Sequence, residues 1–126
     1  MVQQTRIVLI DDDRDACELL KMQLESTGRM SVNYSTNGDE ALAIISRELP
    51  DIAILDINMP GTHGVKIGSS LTENAATSEI PILYLSGMVT PNEAHDMGKG
   101  EDTPPLISKG SPIEELIAAI DNLTTT

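Results

Sequence analysis

Four short apolar runs, each ending in a residue with chemistry, constrain this chain more than any other feature. Ile7-Val8-Leu9-Ile10 leads into Asp11-Asp12-Asp13, and Ile52-Ala53-Ile54-Leu55 leads into Asp56. Ile82-Leu83-Tyr84-Leu85 ends in Ser86-Gly87, and Leu106-Ile107-Ser108 ends in Lys109. Runs without polar alternation suit parallel strands covered on both faces. In an open parallel sheet, ligands bind in the crevice beyond the carboxyl ends of the strands. Such a sheet would gather carboxylates, a hydroxyl and an ammonium at one mouth.

The intervening segments read as helices. Asp13 serves as a cap for a first helix that carries Leu20 and Leu24 and stops at Gly28. Met30-Ser31-Val32-Asn33-Tyr34 alternates, as an edge strand does. Asn37-Gly38-Asp39-Glu40 places a cap residue three before a Glu, ahead of Leu42, Ile44 and Ile45. Thr90-Pro91-Asn92-Glu93 and Ser111-Pro112-Ile113-Glu114 each add Pro at the first helical position, the former with a stop at Gly98. Ile113, Leu116, Ile117 and Ile120 then form an i, i+3, i+4, i+7 stripe. The helix after Gly64 is the weak one, because Gly68, Ser69, Ser70 and Thr72 are poor formers. It is expected to be short or loosely packed. Five β/α units fill residues 1–126 as one domain, with a core from about 6 to 123 and a tail or linker start at 124–126. The expected architecture is a doubly wound α/β sandwich.

Charge and composition narrow the function. With 20 Asp+Glu against 8 Lys+Arg, the net charge is −12, which opposes a direct grip on nucleic acid. The aromatics are two tyrosines, so the core must be aliphatic. The single Cys17 cannot form an internal disulfide and fits a reducing cytoplasm. It reads as a half-exposed bystander on the first helix. No apolar stretch approaches the roughly 20 residues of a membrane span, and the N-terminus lacks a signal-peptide core. The expectation is a soluble cytoplasmic domain.

Clustered carboxylates need relief. Two unit charges about 5 Å apart repel by roughly 3 kcal/mol at an effective dielectric near 20. Protonation or a hard cation such as Mg2+ supplies that relief, and Mg2+ keeps open positions for phosphate oxygens. Lys109 adds a point charge, while Ser86 and the amide of Gly87 add donors. Phosphoryl transfer asks a protein mainly for such positioning and neutralisation.

At these residues the chain resembles the receiver domain of bacterial two-component response regulators. The matching motifs are Asp11-Asp12, Asp56-x-x-Met59-Pro60-x-x-x-Gly64, Ser86-Gly87 and Lys109, in order at strand ends. The resemblance implies a flavodoxin-like five-stranded parallel sheet in the order 2-1-3-4-5 with five helices. It implies that Asp56 accepts a phosphoryl group from a sensor histidine kinase or a histidine phosphotransfer protein. It further implies Mg2+ held by Asp12, Asp56 and the backbone carbonyl of Asn58, with Asp11 acting largely through water. Ser86, Gly87 and Lys109 would hold the phosphoryl oxygens. An output partner is implied but not identified.

Two positions depart from that family. Gly110 follows Lys109 where Pro is usual, and Leu106 stands where Tyr or Phe is usual. Leu106 is therefore a degenerate switch position, and a muted response is expected on its face. Other readings are weaker. Asp11-x-Asp13-x-Asp15 fails as a calcium loop, because Ala16 and Met22 occupy the required Gly and Glu positions. A haloacid-dehalogenase-like phosphatase using Asp11 as nucleophile would leave the Asp56 loop unexplained. A degenerate receiver acting only as a binding module is the third alternative, opposed by the complete acid, hydroxyl and lysine set. His63 and His95 have no metal-ligand spacing, and the methionines read as core gap-fillers.

Overall fold

The computed structural model describes residues 4–58, 64–87 and 104–124. Strands β1 (Thr5–Ile10), β2 (Met30–Ser35), β3 (Ile52–Asp56), β4 (Ile82–Ser86) and β5 (Leu106–Ser108) form one sheet in the order β2-β1-β3-β4-β5. Every adjacent pair is parallel. Four helices flank it among the described residues: α1 (Arg14–Glu25), α2 (Ala41–Glu48), α3 (Gly64–Glu73) and α4 (Ile113–Thr124). The helix expected between Thr90 and Gly98, the Met59–His63 part of the loop after β3, and His63 and His95 lie outside the described residues. The doubly wound, flavodoxin-like order matches the expectation.

Strand periodicity divides the core into two layers, because successive side chains point to opposite faces. Ile7, Leu9, Ile52, Ile54, Leu83 and Leu85 pack with Leu24 of α1 and Leu116 and Ile120 of α4. Val8, Ile10, Ala53, Leu55, Tyr84 and Leu106 pack with Ala41 and Ile45 of α2 and Ile67 and Leu71 of α3. Truncating one of the fully buried aliphatics to Ala would cost about 2–5 kcal/mol. Of the methionines, Met30 is buried in the core, whereas Met22 is exposed.

Local signals explain where the elements start. Asp13 caps α1 by accepting from the Ala16 amide at 3.2 Å. Asn37 also caps, but it caps a single 3-10 turn, Gly38–Glu40, and α2 proper begins at Ala41. Its buried face is then Ala41 and Ile45, and Leu42 turns outward. The stripe of α4 faces the core as expected, and Thr124 belongs to that helix instead of a tail. Helix α3 differs from expectation. It runs ten residues with Gly64, Ile67, Gly68 and Leu71 buried, so its glycines are packing residues.

The edge strand β2 is protected in its middle. Val32 turns its backbone outward, where Glu25 accepts its N–H at 2.9 Å and Lys21 donates to its carbonyl at 2.6 Å. An i, i+4 ion pair on α1 thus occupies the backbone groups that another strand would need.

Candidate functional site

The sheet order reverses direction between β1 and β3, which places their carboxyl ends at a topological switch point. Asp11 follows β1 directly and Asp56 ends β3, so both carboxylates come from rigid strand ends in the centre of the sheet. Asp11 is fully buried and Asp56 is 2% exposed, while Asp12 is exposed. One carboxylate oxygen from each of Asp11, Asp12 and Asp56 can be chosen so that all three lie within 4.8 Å of one another.

Lys109, just beyond β5, supplies the counter-charge. Its Nζ lies 2.6 Å from Asp11 Oδ2 and 3.4 Å from Asp56 Oδ2. Its backbone amide donates to the Ser86 carbonyl at 2.8 Å, which fixes the base of the side chain beside β4. Burial works against the ammonium, but Asp11 and Asp56 outweigh it and hold the Lys109 pKa above the usual lysine value. Burial pushes the Asp11 carboxyl above its ordinary value, against the lowering effects of Lys109 and of the Asp13 amide. Asp11 Oδ1 accepts that amide at 3.0 Å. Asp11 Oδ2 has no aligned hydrogen bond, so its short approach to Lys109 is an ion-pair contact and not a well-directed bond.

The loop after β3 adds a second set of contacts. The Asn58 amide donates to Asp56 Oδ1 at 3.0 Å, and the Asn58 side chain donates to Ser86 Oγ at 2.8 Å. From the sequence, Asn58 had a stronger claim through its carbonyl than through its side chain, and this side-chain contact was not foreseen. Gly64 closes the loop onto β3. A Cβ there would sit 2.3 Å from the Asp56 carbonyl oxygen, so only glycine fits.

Every site residue expected from the sequence that carries a functional group is therefore at this mouth: Asp11, Asp12, Asp56, Asn58, Ser86 and Lys109. Gly87 flanks Lys109, with room for a Cβ at 3.6 Å from Lys109 Cδ. Leu106 stands apart, two residues down β5 and paired laterally with Tyr84. Cys17 is not the half-exposed bystander expected. It is fully buried and its thiol donates to the Asp11 carbonyl at 3.3 Å. Burial, with nearby Asp11, pushes that thiol up to about 12, so it stays protonated and unreactive.

The donor set fits a hard divalent cation. Among the described residues, three carboxylates converge, one of their buried oxygens lacks an aligned partner, and a single ammonium only part-neutralises them. Oxygen ligands of this kind suit Mg2+. No helix among the described residues is long and apolar enough to cross a membrane.

Comparison with known proteins points the same way. The sequence matches the family model of the response regulator receiver domain over residues 7–121. It is 35% identical to Protein PilH of Pseudomonas aeruginosa over 81 residues, covering 64% of this chain and 66% of that protein. It is 33% identical to the response regulator MprA of Mycobacterium leprae over 116 residues, covering 91% of this chain and 49% of that protein. The chain thus spans about half the length of MprA. The crystal structure of a response regulator from Desulfuromonas acetoxidans superposes with a TM-score of 0.75 at 26% identity, covering 94% of each chain. The matched span, the sheet order and the convergence of Asp11, Asp56 and Lys109 on one mouth agree: this chain belongs to the response regulator receiver domain family.

Proposed function

We propose that this domain is a phosphoacceptor whose Asp56 takes a phosphoryl group from the phosphohistidine of a sensor histidine kinase or a histidine phosphotransfer protein. The observation that carries the reading is the buried Asp56 carboxylate with one oxygen on the Asn58 amide and the other facing the Lys109 ammonium. In the transfer, the bond from phosphorus to the imidazole nitrogen breaks and its electron pair stays on that nitrogen. A bond from phosphorus to an Asp56 oxygen forms in its place. Asp56 Oδ2 already points toward Lys109, so the ammonium is positioned to take a phosphoryl oxygen as charge arrives. Ser86 offers a hydroxyl from the end of β4, oriented by Asn58.

Asp11, Asp12 and Asp56, with the backbone carbonyl of Asn58, would hold Mg2+, which supplies charge neutralisation for the transferring group. Loss of the phosphoryl group to water at the same site returns the domain to its resting state. Receiver domains signal by switching partner contacts, and this one would do so in the cytoplasm as part of a two-component or phosphorelay system. Residues 1–126 act in that reading as a single receiver unit. The haloacid-dehalogenase alternative is not supported, because the family match is to receivers.

The test is mass measurement after incubation with acetyl phosphate or a phosphorylated kinase, with and without Mg2+. The wild type should gain one phosphoryl group only with Mg2+, and Asp56→Asn should gain none. An Asp56→Asn protein labelled at the wild-type rate would overturn the assignment. In a separate calorimetric titration, Asp12→Ala should bind Mg2+ more weakly than wild type, and unchanged affinity would place the ion elsewhere.

A further inference from the structure

A ring of contacts closes at this end of the sheet, and one member of it has no assigned role. Gly64 seats the start of α3 on the Asp56 carbonyl. One turn later, a Cβ on Gly68 would lie 2.1 Å from the Tyr84 hydroxyl oxygen and 3.1 Å from Cζ. Glycine at 68 therefore lets the phenol press against the backbone of α3. Tyr84 stands two residues before Ser86 on β4, so both side chains lie on the same face of the sheet. Ser86 accepts from the Asn58 side chain, and the Asn58 amide returns to Asp56. The circuit runs from Asp56 through α3, Tyr84, β4, Ser86 and Asn58 back to Asp56.

Two further observations make Tyr84 the movable part. No hydrogen bond between described residues involves its hydroxyl, and the ring is held by packing in the layer that contains Ile67 and Leu71. An open groove of about 480 Å3, lined among others by Ile57, Val65, Gly68, Tyr84 and Leu106, lies beside it. Leu106 is the lateral partner of Tyr84 across β4 and β5, and its shorter side chain carries no polar tip.

We propose that Tyr84 couples Ser86 to α3, so that phosphoryl loading of Asp56 shifts the Tyr84 ring against Gly68 and repositions α3. The proposal rests on the phosphoacceptor reading above and names the route by which that site reports its state. Ser86 turning to a phosphoryl oxygen pulls on β4, and Gly64 transmits any movement of the Asp56 carbonyl to the same helix. Both ends of the first turn of α3 thus sense the site, at Gly64 and at Gly68. The surface that changes is the outer face of α3, where Val65 is 48% exposed. A shift of this kind can be no larger than the difference in interaction free energy between the two states. The ring of close contacts is what gives the states different energies.

The experiment records backbone amide shifts on adding beryllofluoride with Mg2+ to wild type, Tyr84→Leu and Tyr84→Phe. In wild type, the amides of Asp12, Ser86 and Lys109 and those of Gly68–Glu73 should all move. In Tyr84→Leu the response of Gly68–Glu73 should fall severalfold while the response of Asp12, Ser86 and Lys109 persists. Tyr84→Phe, which keeps the ring and drops the hydroxyl that meets Gly68, should fall in between and decides the matter alone if Tyr84→Leu does not fold. An undiminished α3 response in the variants would overturn the proposal while leaving the phosphoacceptor reading intact. Silence of Asp12, Ser86 and Lys109 in the wild type would overturn that reading, and the coupling with it.

Discussion

The Asn58 side-chain amide donates to the Ser86 hydroxyl across 2.8 Å and so ties the loop after β3 to the end of β4. A hydroxyl that accepts on one side still has its proton to donate elsewhere. Asn58 thus orients Ser86 through the acceptor side of its hydroxyl. If the two act as a unit, their substitutions will not add. A double-mutant cycle of Asn58→Ala and Ser86→Ala, read by urea denaturation, should give a coupling of about 0.5–1.5 kcal/mol. Additive losses would show that the contact contributes nothing.

Lys109→Ala should destabilise the metal-free protein. The Lys109 side chain is 27% exposed, and the carboxylates it faces are buried. Removing one partner of a buried ion pair typically costs about 3–5 kcal/mol, and the part-exposed ammonium puts this case at the low end. Mg2+ should recover part of the loss, because it replaces the missing positive charge. Phosphorylation by acetyl phosphate should slow, since the transferring group loses a positive partner. Unfolding curves with and without Mg2+ check the first two statements, and labelling rates equal to wild type would remove Lys109 from the chemistry.

Asp11→Asn should act in the opposite direction on the metal-free protein. Burial raises the folded pKa of Asp11 above its ordinary value of 3.8. A raised folded pKa means that the protonated form is favoured by folding. The associated stability is fully present below the unfolded value and is lost as pH rises through the folded one. Asn mimics the protonated acid, so the variant should melt a few degrees higher than wild type at pH 7, and the gap should close below pH 3.8. Glu25 and Asp121 titrate in the contrary sense. Val32 and Lys21 hold Glu25 low, and Arg29 holds Asp121 low, so their contributions fade as pH falls. Both occur in wild type and variant alike and cancel in the comparison. A variant less stable than wild type at pH 7 would mean that the Asp11–Lys109 contact outweighs the burial of the charge.

Much of this arrangement could be read from the chain because strand ends and caps are written in short stretches. Uninterrupted apolar runs announced the buried parallel strands, and the polar residue ending each run announced the mouth of the sheet. What escaped depended on contacts between distant segments. Cys17 looked half exposed by its charged neighbours, yet it packs under β1 and donates to Asp11. The side chain of Asn58 had no sequence signal, because its partner Ser86 is 28 residues away. Helix α3 looked weak by intrinsic propensity, which counts Gly68 as a defect. Tertiary packing reverses that judgement, since the missing Cβ is the space that the Tyr84 hydroxyl occupies. Asn37 was recognised as a cap, but a 3-10 turn separates it from α2, and local sequence does not distinguish that turn from a first helical turn.

Gly68→Ala makes that reversal measurable, because two effects of opposite sign compete at one atom. In an unconstrained helix interior, Ala is favoured over Gly by about 1 kcal/mol. At Gly68 the new Cβ would sit 2.1 Å from the Tyr84 hydroxyl oxygen, well inside any real contact. The oxygen belongs to a ring packed in the core layer between α3 and the sheet, so relieving the contact means displacing the whole ring toward the groove beside it. Overpacking of this kind costs about 1–3 kcal/mol, enough to cancel or exceed the propensity gain. Gly68→Ala alone should therefore be less stable than wild type. Adding Tyr84→Phe removes the clashing oxygen and leaves Cζ as the nearest atom, at 3.1 Å, which a shift of a few tenths of an ångström relieves. The double variant should then recover most of the loss, and it should exceed the sum of the separate effects. Thermal melts of the four proteins decide it, and a Gly68→Ala protein at least as stable as wild type would show that the phenol is not seated against α3.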